Sequence, residues 1–178
     1  MKTHLLYEIA FVGLKNGIHE FNYQIEDKFF LNYQEPEFSA AEINAKLLFD
    51  KKSTFFLLNF QIIGKVSVIC DRCGQPFSLN LWDEFVQVVK LVDNPSEIQN
   101  NEDPEVTYIS KTASHLNLAD WIYEFILLSL PMQRIHPLDE NGKSSCDPNV
   151  LALLDQLHGH ENINIHPIWK DLDKFRNS

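Results

Sequence analysis

A chain of 178 residues that is 44% apolar and carries thirteen Phe has enough apolar surface to build a core, which excludes the disordered class. No apolar run reaches the roughly 20 residues a helix needs to cross a bilayer, so a membrane partner is not expected. The formal charge of −10 opposes broad coating of a nucleic acid, because non-specific affinity for phosphate comes from Lys and Arg displacing counterions.

The apolar N-terminal stretch is interrupted by Glu8 and is followed by no small-residue cleavage pattern, so a signal peptide is not expected. Three cysteines, an odd number, fit a reducing compartment better than a disulfide framework. The cytoplasm is the expected location. Residues 5–14 and 20–25 read as strands, and 41–50 alternates weakly before a turn at Lys51-Lys52-Ser53. From Thr54 to Ile69 the chain is dense in Phe, Leu, Ile and Val, with a break expected at Gly64. From Phe77 to Val92 it continues as a second long strand, so the two form a large hairpin tipped by Cys70-Asp71-Arg72-Cys73-Gly74. Glycine at 74 suits the positive φ that a tight turn between cysteines needs.

Residues 93–105 are acidic and bracketed by Pro95 and Pro104, which reads as a mobile loop, and Val106–Ser110 reads as a further short strand. Asn117 is placed as a helix cap, with Asp120 in the first turn and Pro131 beyond the end. Leu118, Trp121, Ile122, Phe125 and Leu128 or Ser129 then share the face expected to pack on the sheet. Residues 148–157 and 167–175 read as two short C-terminal helices. The expected fold class is α+β: a twisted, mostly antiparallel sheet built on the long hairpin, with one main helix packed on it, in a single domain over 1–178.

A C-x-x-C pair alone is shared by zinc sites, dithiol oxidoreductases and plain turns. The oxidoreductase version places its first thiol at a helix N-terminus, whose dipole lowers the thiol pKa. Here a strand follows the pair, and Asp71 is expected to raise a neighbouring thiol. A zinc site needs two more donors. Cys146 is the remaining cysteine, and His136 precedes it by ten residues in a loop with Pro137 and Gly142 that can fold back. The candidate metal set is therefore Cys70, Cys73, His136 and Cys146, set against a tight turn with a partly buried thiol; His115, His158, His160 and His166 are substitute donors. Lys65, Arg72, Arg134 and Lys143 flank these positions and are the candidate contacts to RNA or another partner. No phosphate-binding glycine loop, H-E-x-x-H or G-x-S-x-G is present, and Asp120 and Glu124 read as solvated carboxylates, so no catalytic residue is assigned.

The hairpin tip Cys70–Phe77, the helix Leu116–Leu130 closed by Pro131, Arg134-Ile135-His136, the later Cys146 and the tail His166–Leu172 together resemble the bacterial YceD family. They follow that family's order from about residue 40 to 175. The resemblance implies a non-enzymatic factor for accumulation of 23S ribosomal RNA, in a family often encoded beside a small basic protein of the large subunit. It therefore implies ribosomal RNA or such a protein as partner. Many members complete a four-cysteine set after the helix; this chain has Cys146 alone there and needs His136. The contrasting expectation is a thiol-dependent redox enzyme or a metallohydrolase using the C-x-x-C site.

Overall fold

The computed structural model describes residues 4–34, 36–95 and 106–159. The chain gathers into two compact units. Among the described residues, the first takes the chain up to Ile69 and resumes over Pro76–Arg134, and the second takes Cys70–Gln75 and residues 135–159. The fold is α+β, with a mostly antiparallel main sheet and three helices among the described residues.

The first unit is built on a five-stranded sheet whose strands run in sequence order: β2 (Gly17–Glu26), β3 (Phe38–Lys51), β4 (Phe55–Ile69), β5 (Pro76–Val92) and β6 (Val106–Ser110). All neighbours are antiparallel except β6, which runs parallel to β5 from Val88↔Val106 to Val92↔Ser110. The hairpin of β4 and β5 is unbroken from Phe55↔Lys90 to Ile69↔Pro76. Its strand residues alternate strictly, so Phe56, Leu58, Phe60 and Ile62 enter the core from β4 while Leu57, Asn59, Gln61 and Ile63 face the other way.

Gly64 does not break β4. It lies opposite Ile43, just past a register shift between Ser39 and Glu42 where Ala40 takes a positive φ of 49°. A Cβ at 64 would stand 2.3 Å from the Glu42 carbonyl oxygen and 2.6 Å from the Ile43 Cα, so the glycine serves close backbone approach at a bulge.

The stretch 5–14, expected as a strand, pairs over only two residues. β1 (Glu8–Ile9) joins β7 (Leu116–Asn117), and 3-10 turns at His4–Tyr7 and Phe11–Gly13 flank β1. The Lys51 ammonium donates to the carbonyls of Phe11 and Leu14, both at 2.8 Å, and so holds the second turn against β3. A short helix, α1 (Asp27–Phe30), follows β2 and buries Phe29 and Phe30.

The main helix, α2 (Ala119–Leu128), buries Ile122 and Phe125 of the expected stripe, and Leu118 just before it is buried too, but the stripe runs on to Ile126 instead of Leu128. Its buried residues are Ala119, Ile122, Phe125 and Ile126, whereas Trp121 is half-buried and Leu128 is exposed. The cause lies at its start. Pairing of β7 with β1 holds Asn117 in a strand, so the cap position falls to Leu118, and Asn117 Oδ1 accepts the Ala119 N–H at 2.8 Å from one residue further back. Phe125 meets the sheet through Phe85, stacked at 4.4 Å, and Phe60 at 5.1 Å.

In the second unit, α3 (Pro148–Gly159) begins as expected. Asp147 Oδ1 accepts the Asn149 N–H at 2.8 Å, and Pro148 occupies the first turn, where a missing N–H costs nothing. The expected helix at 167–175, the tail 166–172 and most of the acidic loop, residues 96–105, lie outside the described residues.

Two stability predictions follow from the sheet and helix geometry. Gly64→Ala should destabilise by at least about 1–3 kcal/mol through overpacking against β3, while Gly13→Ala, with open space at its Cβ, should be nearly silent; equal denaturation midpoints would contradict the close approach. Ile122→Ala should cost about 2–5 kcal/mol. Leu128→Ala should cost under about 0.5 kcal/mol, and thermal unfolding of the pair measures the contrast.

Candidate metal centre

The turn that joins β4 to β5 is closed by its own backbone. The Cys70 N–H donates to the Gln75 carbonyl and the Gly74 N–H to the Cys70 carbonyl, each at 2.9 Å. Gly74 has φ +72°, and a Cβ there would meet nothing within 4 Å, so conformation alone calls for glycine. Asp71 and Arg72 point outward, whereas Cys70 and Cys73 are buried.

The other half of the site is a miniature hairpin. Leu138 bridges Ser144, the Asp139 N–H donates to the Lys143 carbonyl at 2.7 Å, and Gly142, at φ +76°, donates to the Asp139 carbonyl at 3.0 Å. Asp139 Oδ1 accepts the N–H groups of Asn141 and Lys143 at 2.9 and 2.8 Å, which pins the reversal from inside. His136 and Cys146 lie two residues outside the Leu138↔Ser144 bridge on either arm. The reversal therefore brings them face to face.

Cys70, Cys73, His136 and Cys146 converge, their ligand atoms all within 4.8 Å of one another. Cys70 Sγ and Cys146 Sγ are 3.8 Å apart; His136 Nδ1 is 3.5 Å from Cys73 Sγ and 3.7 Å from Cys146 Sγ. A tetrahedral ion with bonds of about 2.3 Å to sulfur and 2.0–2.1 Å to nitrogen demands edges of about 3.8 Å between sulfurs and about 3.6 Å between sulfur and nitrogen. The donor set fits such an ion in both chemistry and spacing. A disulfide, with sulfurs about 2.05 Å apart, is a different geometry, and all three cysteines are free. His115 is not part of the group; its Nδ1 is 2.7 Å from the Ser114 hydroxyl. The side chains of His158, His160 and His166 lie outside the described residues.

The electrostatics overturn the expectation for Asp71. Burial pushes the Cys70 thiol up, but the backbone amides of Cys73, His136 and Arg72 and the His136 ring outweigh it and bring the pKa down to about 6. Amides aimed at a sulfur are what a thiolate ligand needs. Cys146 goes the other way: the Ser144 hydroxyl lowers it, but burial and the two neighbouring cysteine sulfurs hold it above the ordinary thiol value.

The four basic candidates divide. Arg72 and Lys143 belong to the same unit as the cluster and are exposed. Lys65 and Arg134 belong to the first unit, where each meets a carboxylate: Lys65 with Glu42 at 2.9 Å, and Arg134 with Glu37 at 2.7 Å. Asp120 and Glu124 are exposed, and Asp120 accepts the Tyr33 hydroxyl at 2.9 Å. The fold-back of this loop is as expected from Pro137 and Gly142; what the sequence analysis lacks is the part of Asp139, whose carboxylate accepts two amides of the reversal.

The family model described as large ribosomal RNA subunit accumulation protein YceD matches residues 58–176, a span that includes all four clustered residues. The chain belongs to the YceD family. Comparison with the curated proteins and with the solved structures gives no match. The YceD match begins within β4, so β2 and β3 precede the matched span. None of the described helices of this YceD chain is long and apolar enough to cross a membrane.

The thiol shifts set a pH dependence for the metal-free protein. Because the folded-state pKa of Cys70 is depressed, its contribution to stability is present above the ordinary thiol value and is lost as pH falls through about 6. In an acid titration followed by ultraviolet thiolate absorbance, one thiolate should persist to about pH 6 and vanish in Cys70→Ser. Three thiols titrating together in the ordinary range would contradict the arrangement.

Proposed function

We propose that this YceD chain is a non-enzymatic, cytoplasmic ribosome-assembly factor. It supports accumulation of 23S ribosomal RNA, and its cysteine–histidine cluster is a structural zinc site that fixes a partner-binding loop. Membership of a family named for accumulation of the large-subunit ribosomal RNA supports the general role. The observation that supports the site's role is the convergence of four protein donors within 4.8 Å of one another, with three of their separations, 3.5, 3.7 and 3.8 Å, close to the edges of a zinc tetrahedron. Zinc held by Cys70, Cys73, His136 and Cys146 would cross-link two chain segments that are distant in sequence, and a four-donor set leaves no open coordination position for substrate or water. That counts against a metallohydrolase.

The lowered pKa of Cys70 is the one observation that favours a thiol enzyme. Its sulfur, however, belongs to a residue only 1% exposed, so a substrate has no approach to it. Arg72 inside the cysteine turn and Lys143 inside the Asp139 reversal are exposed cations carried by the two segments that supply the ligands. They are the residues proposed to touch ribosomal RNA phosphate or an acidic stretch of a ribosomal protein. With a formal charge of −10 over the whole chain, such contact is local, and a basic ribosomal protein is a further electrostatic match for the remaining surface.

Protein purified without chelator or affinity nickel should carry about one zinc per chain by elemental analysis, and Cys70→Ser or His136→Ala should lose it together with protection of 135–159 against protease. Depletion in cells should lower 23S ribosomal RNA and accumulate large-subunit precursors, and Arg72→Ala with Lys143→Ala should reproduce part of that loss while keeping the zinc. Zinc content near zero would end the metal assignment; normal 23S levels after depletion would end the assembly role.

A further inference from the structure

The five-stranded sheet has two faces, and among the described residues of the first unit the core forms on one of them. On the face opposite the core, cross-strand register stacks the side chains in rows. One row pairs Ile63 with Trp82, and a second aligns Leu48, Asn59 and Val86. These apolar side chains are substantially open to solvent: Trp82 66%, Val86 59%, Ile63 42% and Leu48 37%. Between the two rows runs a polar ladder of Lys46, Gln61 and Glu84. A groove of about 380 Å³ occupies this place, lined by the ladder and by Leu48 and Val86. Large apolar side chains grouped on one strand face at such exposure mark a surface that a partner covers.

The charges of the groove decide what kind of partner fits. Lys46 is already matched by Glu20 at 3.1 Å. Glu84 meets only the Gln61 amide, which donates to Oε1 at 3.0 Å, and no cation pairs with it among the described residues. The floor therefore offers one uncompensated carboxylate between two apolar rows. Nucleic acid would bring phosphates to a face whose central lysine is spoken for and whose free charge is negative.

We infer that the open face of the sheet is a protein-docking surface for an extended or helical segment presenting two apolar side chains astride an Arg or Lys, the cation pairing with Glu84 while the apolar pair covers Trp82–Ile63 and Val86–Leu48. A cation entering over β5 would pair with Glu84, with the neutral Gln61 between it and Lys46, and the apolar rows around it would exclude water from the pair. The inference rests on the assembly-factor reading for the pool in which the partner is sought, but not on the metal site.

The test places a photo-reactive amino acid at position 86 of the full chain and irradiates it with the total proteins stripped from large ribosomal subunits, and separately with 23S ribosomal RNA. A crosslink to a basic ribosomal protein is expected, reduced about tenfold by Glu84→Lys or by Trp82→Ser and unchanged by Leu31→Ser, an exposed apolar site outside the groove. Glu84 and Trp82 are exposed, and unchanged melting temperatures check that the variants fold. A crosslink to RNA, to a second copy of this chain, or to nothing overturns the inference, as does a yield that Glu84→Lys leaves intact. In cells the two failures separate: if depletion does not lower 23S ribosomal RNA the assembly role fails, whereas if depletion lowers it and a Glu84→Lys copy restores it fully, only the docking surface fails.

Discussion

The pairing of β4 with β5 is the constraint on which the other features depend. Its register runs without a slip from Phe55↔Lys90 to Ile69↔Pro76, so the chain must reverse within the six residues from Cys70 to Gln75. That narrow gap forces the closed turn, the positive φ of Gly74 and the inward aim of two sulfurs. The same register sorts every side chain of the hairpin onto one of two faces, because a slip of a single residue would exchange the buried Phe56, Leu58 and Phe60 for Leu57, Asn59 and Gln61. Antiparallel pairing thus specifies the core and the cysteine turn together.

Sequence reasoning reached the four clustered residues because they are chemically rare: three cysteines and a histidine with turn residues between them. The local means of bringing His136 to Cys146 were less visible. They rest on one carboxylate, Asp139, accepting two amides inside its own reversal, and a solvated aspartate leaves the same mark in a sequence. Helix α2 was located, but its buried stripe was turned toward Ile126, because the pairing of Leu116–Asn117 with Glu8–Ile9 shifts the start of the helix. A contact between residues more than a hundred positions apart leaves no periodicity to read. Gly64 was read as a break for a similar reason: its cause is the backbone of the neighbouring strand, which a local window does not contain.

The electrostatic pattern repeats at two scales. Within the cluster, amides and neighbouring thiols drive two cysteines in opposite directions, Cys70 down and Cys146 up, although both are buried. Across the first unit, several lysines are paired close at hand: Lys46 with Glu20, Lys65 with Glu42 and Lys111 with Asp93. The Glu84 carboxylate, by contrast, accepts from the neutral Gln61 amide.

The second unit is assembled from Cys70–Gln75 and from the chain beyond Ile135, so its parts leave the ribosome at different times. While the chain is being synthesised, the first two thiols emerge long before the imidazole and the last thiol. During that interval Cys70 and Cys73 are without the two side chains they meet in the folded chain. No single cut can release this unit as a contiguous fragment, and a chain ending at Arg134 would retain two donors of the four.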